Sequence, residues 1–107
     1  MDWTRQCAAV IPCHDEAASI GEVVAGVRQH LPTVIVVDDG SEDGTANAAS
    51  QAGAEIIRLP RNTGKGAALQ AGWQRAHTRG FTWALNLDGD GQHRPEDIRT
   101  FLRCADE

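Results

Sequence analysis

The chain has 107 residues, of which 41% are hydrophobic and 23% charged, and a formal net charge of −5. That length allows one domain at most, and this balance is that of a globular domain rather than a disordered segment. The acidic surplus excludes a general nucleic-acid binder, which needs basic surface to replace phosphate counterions, but not the capture of a small anion at one local site.

Residues Met1 to Gln6 are polar, and the apolar run after them stops at Pro12, so no secretory leader is read here. No stretch approaches the ~18 apolar residues that span a bilayer, and the chain is expected to be soluble as given. The three cysteines, Cys7, Cys13 and Cys104, match neither a disulfide framework nor a zinc knuckle, so free thiols in a reducing cytoplasm are expected.

The first predicted strand is Cys7 to Ile11. Ser19-Ile-Gly-Glu22 then reads as a capping box, followed by Ile20, Val23, Val24, Val27 and Leu31 at helical spacing. Thr33 to Val37 is a β-branched second strand, suited to burial on both faces. Thr45 is placed to cap an Ala-rich helix that ends near Gly53. Glu55 to Leu59 is the third strand. A helix from Gly66 to Arg79 follows, with Gly80 as its stop and Leu69, Trp73 and Ala76 as its packing stripe. Trp3, Trp73 and Trp83 are taken as packing residues. Thr82 to Leu87 is the fourth strand, and Pro95 opens a last helix with Ile98, Phe101, Leu102 and Ala105 on one side.

This alternation predicts an α/β, Rossmann-like, mostly parallel sheet with helices on both faces and strand order three-two-one-four. Each strand runs into a polar or Gly-rich segment: Pro12 to Glu16, Asp38 to Asp43, Pro60 to Gly66, and Asp88 to His93. In an open parallel sheet those segments share the edge where ligands bind.

The string Asp88-Gly-Asp-Gly-Gln-His93 would present the oxygens of Asp88, Asp90 and Gln92 to one side if extended. Paired carboxylates repel unless a cation sits between them, and Mg²⁺ or Mn²⁺ suits oxygen ligands with room for phosphates. A solvated turn that merely stops the strand is the plain alternative. A calcium loop fails, because Arg99 stands at the twelfth position from Asp88. Asp39 is read as facing a ligand, and Asp43 and Thr45 as structural. Glu16 is open between a ligand hydroxyl and a helix N-terminus, and His14 between base stacking and plain surface. The run Arg61 to Ala68 is not a Walker loop, since Leu59 and Gly66 stand where glycine and Ser/Thr are required. Its Gly-rich turn and Lys65 still make an anion-facing corner. No GxGxxG follows the first strand, which removes the main support for a dinucleotide fold.

Together the strings VIPCHDE, VVDDGSEDGT, RNTGKGAAL and DGDGQHRPED resemble, in order, the motifs of family 2 glycosyltransferases. The dolichyl- and polyprenyl-phosphate mannosyl- and glucosyltransferases are the most similar subgroup. The resemblance covers about residues 7–104 and implies that 7–107 is a truncated GT-A fold, its N-terminal nucleotide-sugar-binding portion. It implies nucleotide contacts at Pro12, His14 and Glu16, base and ribose contacts at Val37 and Asp39, and a loop near the nucleotide at Lys65. Asp88, Gly89 and Asp90 fall on the DxD motif that holds metal, diphosphate and sugar, with Gln92 as a further metal ligand and Asp90 as the catalytic position. His14 and Asp15 replace the family's usual Tyr-Asn pair, which bears on base choice.

The activity so implied is inverting transfer of a hexose from a GDP- or UDP-sugar, with Mg²⁺ or Mn²⁺, to an acceptor such as a polyprenyl phosphate. The parent protein would then be membrane-associated. A non-catalytic nucleotide-sugar-binding fragment is the alternative reading, and self-association is expected from an uncovered fourth strand. A sugar nucleotidyltransferase would want a basic, Gly-rich loop after the first strand, and Pro12 to Ala17 offers none.

Overall fold

The structure, a computed structural model, describes residues 3–87. In chain order these form α1 (Trp3–Gln6), β1 (Cys7–Cys13), α2 (Ala17–Arg28), β2 (Val34–Asp39), α3 (Thr45–Gln51), β3 (Glu55–Leu59), α4 (Lys65–Thr78) and β4 (Trp83–Asn86). The four strands make one parallel sheet in the order β3-β2-β1-β4, as the alternation predicts.

β1 and β2 lie at the centre of the sheet, and every residue of both is buried. Their continuous apolar character follows from having helices on both faces. On one face, Cys7, Ala9 and Ile11 of β1 pack with Ile20, Val24 and Val27 of α2 and Ala49 of α3. On the other, Ala8, Val10, Ile35 and Val37 pack with Ala68 and Ala76 of α4. Pro12 is tolerated inside a central strand because of where its nitrogen points. Ala9 donates toward β2 and Val10 accepts from Leu87 beside β4, so by alternation residue 12 faces the β4 side, past the last β4 pair, Val10 with Asn86.

Several local expectations are corrected. The Ser19–Glu22 capping box is not formed: α2 begins at Ala17 with Glu16 as its N-cap residue, so Ser19 lies inside the first turn. Thr45 is the first residue of α3 rather than its cap. The buried stripe of α4 is Ala68, Gly72 and Ala76, while Trp73 is 42% exposed. Small residues win this face because the helix lies so close to the sheet that a Cβ on Gly72 would run into Val10 Cγ1. Trp73 turns aside and donates its indole N–H to Asn86 Oδ1 at 2.8 Å. The short α1 was not anticipated. The helix expected from Pro95 lies outside the described residues. No helix among the described residues is long and apolar enough to cross a membrane.

Candidate functional site

β1, β2 and β3 run parallel, so the segments after them share one edge of the sheet. There they border a cavity of about 640 Å³ lined by His14, Asp15, Gly40, Ser41, Glu42 and residues 58–62. Arg58, Arg61 and His14 bring donors to this lining, and Asp15 and Glu42 bring acceptors.

Sequence-distant loops are tied together here by hydrogen bonds from backbone to side chain. The N–H groups of Asp15, Glu16 and Ala17 donate to Ser41 Oγ, Thr45 Oγ1 and Asp43 Oδ2 at 2.8, 2.9 and 3.2 Å. Glu42 N–H returns a bond to Asp15 Oδ1 at 2.9 Å. The opening of α2 is therefore capped in part from the β2–α3 segment, which explains why no capping box is needed. Asp15 has φ 52, a left-handed conformation that Asp adopts more readily than most side chains. Asp43 Oδ1 also accepts from the N–H and hydroxyl of Thr45. The Thr45 hydroxyl bond comes first among the causes that hold the Asp43 carboxyl below its ordinary value.

Asp39 joins the remaining loops. Its backbone carbonyl accepts from His14 Nδ1 at 2.7 Å, which fixes the proton on that nitrogen. Its carboxylate takes three bonds from the β3–α4 segment: Thr63 N–H and Thr63 Oγ1 to Oδ1 at 2.7 and 2.8 Å, and Gly64 N–H to Oδ2 at 2.8 Å. Burial pushes this carboxyl up, but the bonds from Thr63 and Gly64 outweigh it and hold the carboxyl below its ordinary value. The same bond to Asp39 is the main reason His14 is raised above the usual imidazole value, helped by the negative charge of Asp15. Gly40 has φ +72, and a Cβ there would overlap the backbone of Arg61 and Asn62, so glycine is required where these two loops meet.

Of the residues the sequence singled out, His14, Glu16, Asp39 and Lys65 lie on this edge. Glu16 is half-buried at the head of α2, and Lys65 opens α4. Pro12 and Val37 are neighbours in register and are buried within the sheet. Asp43 and Thr45 are structural, Thr45 as a partner of Glu16 N–H and Asp43 rather than as the expected helix cap. Asp88, Gly89, Asp90 and Gln92 lie outside the described residues, and the chain reaches them from Leu87, whose N–H donates to Val10 on β1 at 3.1 Å. No group of three or more metal-binding side chains is present among the described residues. Burial, with the nearby carboxylates of Asp38, Glu16, Asp43 and Asp39, pushes the Cys13 thiol up to about 12, so Cys13 is an inert packing residue. Asp38 and Arg58 were not singled out. Asp38 is buried and accepts from Ser41 N–H at 3.0 Å, with Arg58 Nε at 3.7 Å. The doubled Asp at the end of a strand was the available signal for Asp38.

A doubly wound parallel sheet with its polar loops at the carboxyl edge defines an α/β ligand-binding domain. The chain belongs to Glycosyl transferase family 2, whose sequence profile matches residues 8–107. It is 31% identical to the polyprenol monophosphomannose synthase of Mycolicibacterium smegmatis, over 96% of this chain and 42% of that protein. Its fold is similar to that of mannosyl-3-phosphoglycerate synthase from Rubrobacter xylanophilus, with a TM-score of 0.72 and 26% identity over 94% of this chain and 39% of the other. It is also similar in fold to glucosyl-3-phosphoglycerate synthase from Mycobacterium tuberculosis, solved in complex with Mn²⁺, UDP-glucose and phosphoglyceric acid. There the TM-score is 0.71 and the identity 23%, over 88% of this chain and 36% of the other. These neighbours have the GT-A fold the sequence implies, and the chain spans about two fifths of their length.

Proposed function

We propose that this chain is the nucleotide-binding portion of an inverting glycosyltransferase that transfers a hexose from a GDP- or UDP-sugar to an acceptor. The observation that carries this is the Asp39-centred edge, where three loops of a family 2 domain are tied around a polar cavity. The cavity offers donors and acceptors to a base and ribose, and the head of α4, which Lys65 opens, is where a phosphate would meet a helix N-terminus. A polyprenyl phosphate is the favoured acceptor, in keeping with the mycobacterial polyprenol-sugar relative. Such a phosphate is ionised near neutral pH, so no side chain need deprotonate it. The parent protein would then work at a membrane.

Asp88, Asp90 and Gln92 are the residues that would hold Mg²⁺ or Mn²⁺, and the solved neighbour that contains Mn²⁺ and a UDP-sugar supports that choice. When bound, the ion offsets charge on the leaving diphosphate. Because the chain spans 42% of its mannosyltransferase relative, binding without turnover by this piece alone is the second reading. Titration with GDP and UDP, with and without Mn²⁺, tests binding, and a sugar-transfer assay tests turnover. Asp90→Asn should weaken diphosphate binding by about 1.5–3 kcal/mol, and only when Mn²⁺ is present. An equal loss without the metal would remove Asp90 from the metal site.

A further inference from the structure

We propose that Thr63 is a positioning residue that aims the Asp39 carboxylate at a hydrogen-bond donor of the nucleoside. This rests on the nucleotide reading above. A carboxylate has about four acceptor sites. Three on Asp39 are filled among the described residues, all by Thr63 and Gly64, and two of those meet on Oδ1. The count leaves one site, on Oδ2.

Asp39 is only 4% exposed, so its orientation is set by these partners rather than by water. It immediately precedes Gly40, which lines the cavity. Oδ2 already accepts from Gly64, and its second lone pair has room for one more donor. A base N–H or a ribose hydroxyl is the kind of donor a nucleoside supplies. Thr63 controls the geometry because its backbone N–H and hydroxyl grip Oδ1 together, which stops the carboxylate from rotating. Gly64 donates its own N–H to Oδ2 at 2.8 Å and so occupies one of the two acceptor sites on that oxygen.

The hydroxyl is the part of this grip that mutation can remove alone. Thr63 is itself exposed, so Thr63→Val keeps the shape and the backbone bonds with little risk to folding. Thr63→Ser keeps the hydroxyl and serves as the rescue. Affinity for GDP and UDP, each with Mn²⁺, is measured on the full chain from pH 7 down through the carboxylate range. Thr63→Val should weaken the preferred nucleotide about tenfold or more, the scale of one hydrogen bond to a charged group. Its acid limb of binding should move to higher pH, because Asp39 loses a bond that stabilises its ionised form. Thr63→Ser should restore both, and with them the melting temperature, which Thr63→Val lowers because the ionised Asp39 loses a stabilising bond. An unchanged acid limb in Thr63→Val, or a serine that fails to restore affinity, overturns the proposal. If the wild type binds neither nucleotide, the functional reading falls and this proposal with it. If the wild type binds and Thr63→Val binds equally well, only the role of Thr63 falls.

Discussion

Short polar side chains at this edge bond mainly to backbone N–H groups of other loops, and that makes stability there depend on charge. Asp39 is depressed in the folded chain despite its burial. A depressed carboxyl binds fewer protons folded than unfolded, so its contribution is fully present above the ordinary Asp value, near 3.8, and is lost as pH falls through the lower folded value. Asp39→Asn should therefore be less stable than the wild type at neutral pH, with the gap closing as the pH drops below about 4. Urea midpoints of both proteins at neutral and acidic pH would show this, and a gap that stays constant would mean the charge of Asp39 contributes nothing. The sequence exposed Asp39 because a carboxylate at the end of a β-branched strand has few structural excuses. It did not expose Thr63 as the partner, because a bond across 24 positions leaves no local pattern. Asp43 and Thr45 were legible as structural residues, but not as the acceptors for another loop's N–H groups.

Helix α4 shows how a period can be right in kind and wrong in phase. The spacing of Leu69, Trp73 and Ala76 fits a helix, but so does that of Ala68, Gly72 and Ala76, which shares Ala76 and takes the preceding residue at the other two positions, and the latter is buried. Large side chains attract a core assignment in sequence, whereas a close helix-to-sheet approach selects small ones. Gly72→Ala isolates that cause. In a free helix the change would favour folding by roughly 0.5–1 kcal/mol. Here the new methyl meets Val10 Cγ1 of a fully buried strand, with Val37 Cγ2 at 3.2 Å on the other side. Overpacking of that kind costs about 1–3 kcal/mol, so the net change should be destabilising by up to about 2 kcal/mol. A thermal melt that shows Gly72→Ala equal to or above the wild type would mean α4 can lift off the sheet at little cost. The strands were easier to read than the helix faces, because β1 and β2 are buried on both sides and leave no phase to mistake.

At the scale of the whole molecule the two halves of the sheet differ sharply. β1 and β2 are wholly buried, yet Trp83, Ala84 and Asn86 of β4 are exposed, with Trp83 at 48%. Among the described residues β4 is paired only with β1, so its outer edge carries backbone N–H and C=O groups without a strand partner there. Trp73, 42% exposed, lies beside Asn86 on the α4 face, opposite the face on which alternation places Trp83, so the edge has a large apolar side chain on either side. An unpaired edge flanked by large apolar side chains is a template for strand pairing, and proteins usually blunt such edges with charge, above all with lysine. The 107-residue chain should therefore self-associate through β4, with sedimentation velocity showing a mean size that rises with concentration. Trp83→Lys removes apolar area and adds a gatekeeping charge at an exposed position, so it should lower association while the fold, read by circular dichroism, is kept. Trp83 stands at the first position of β4, at the end opposite Leu87, from which the chain runs on to Asp88 and Asp90, so the same variant should bind GDP or UDP as the wild type does. A wild type that stays monomeric at high concentration, or a Trp83→Lys variant that associates just as strongly, would place the driving surface elsewhere.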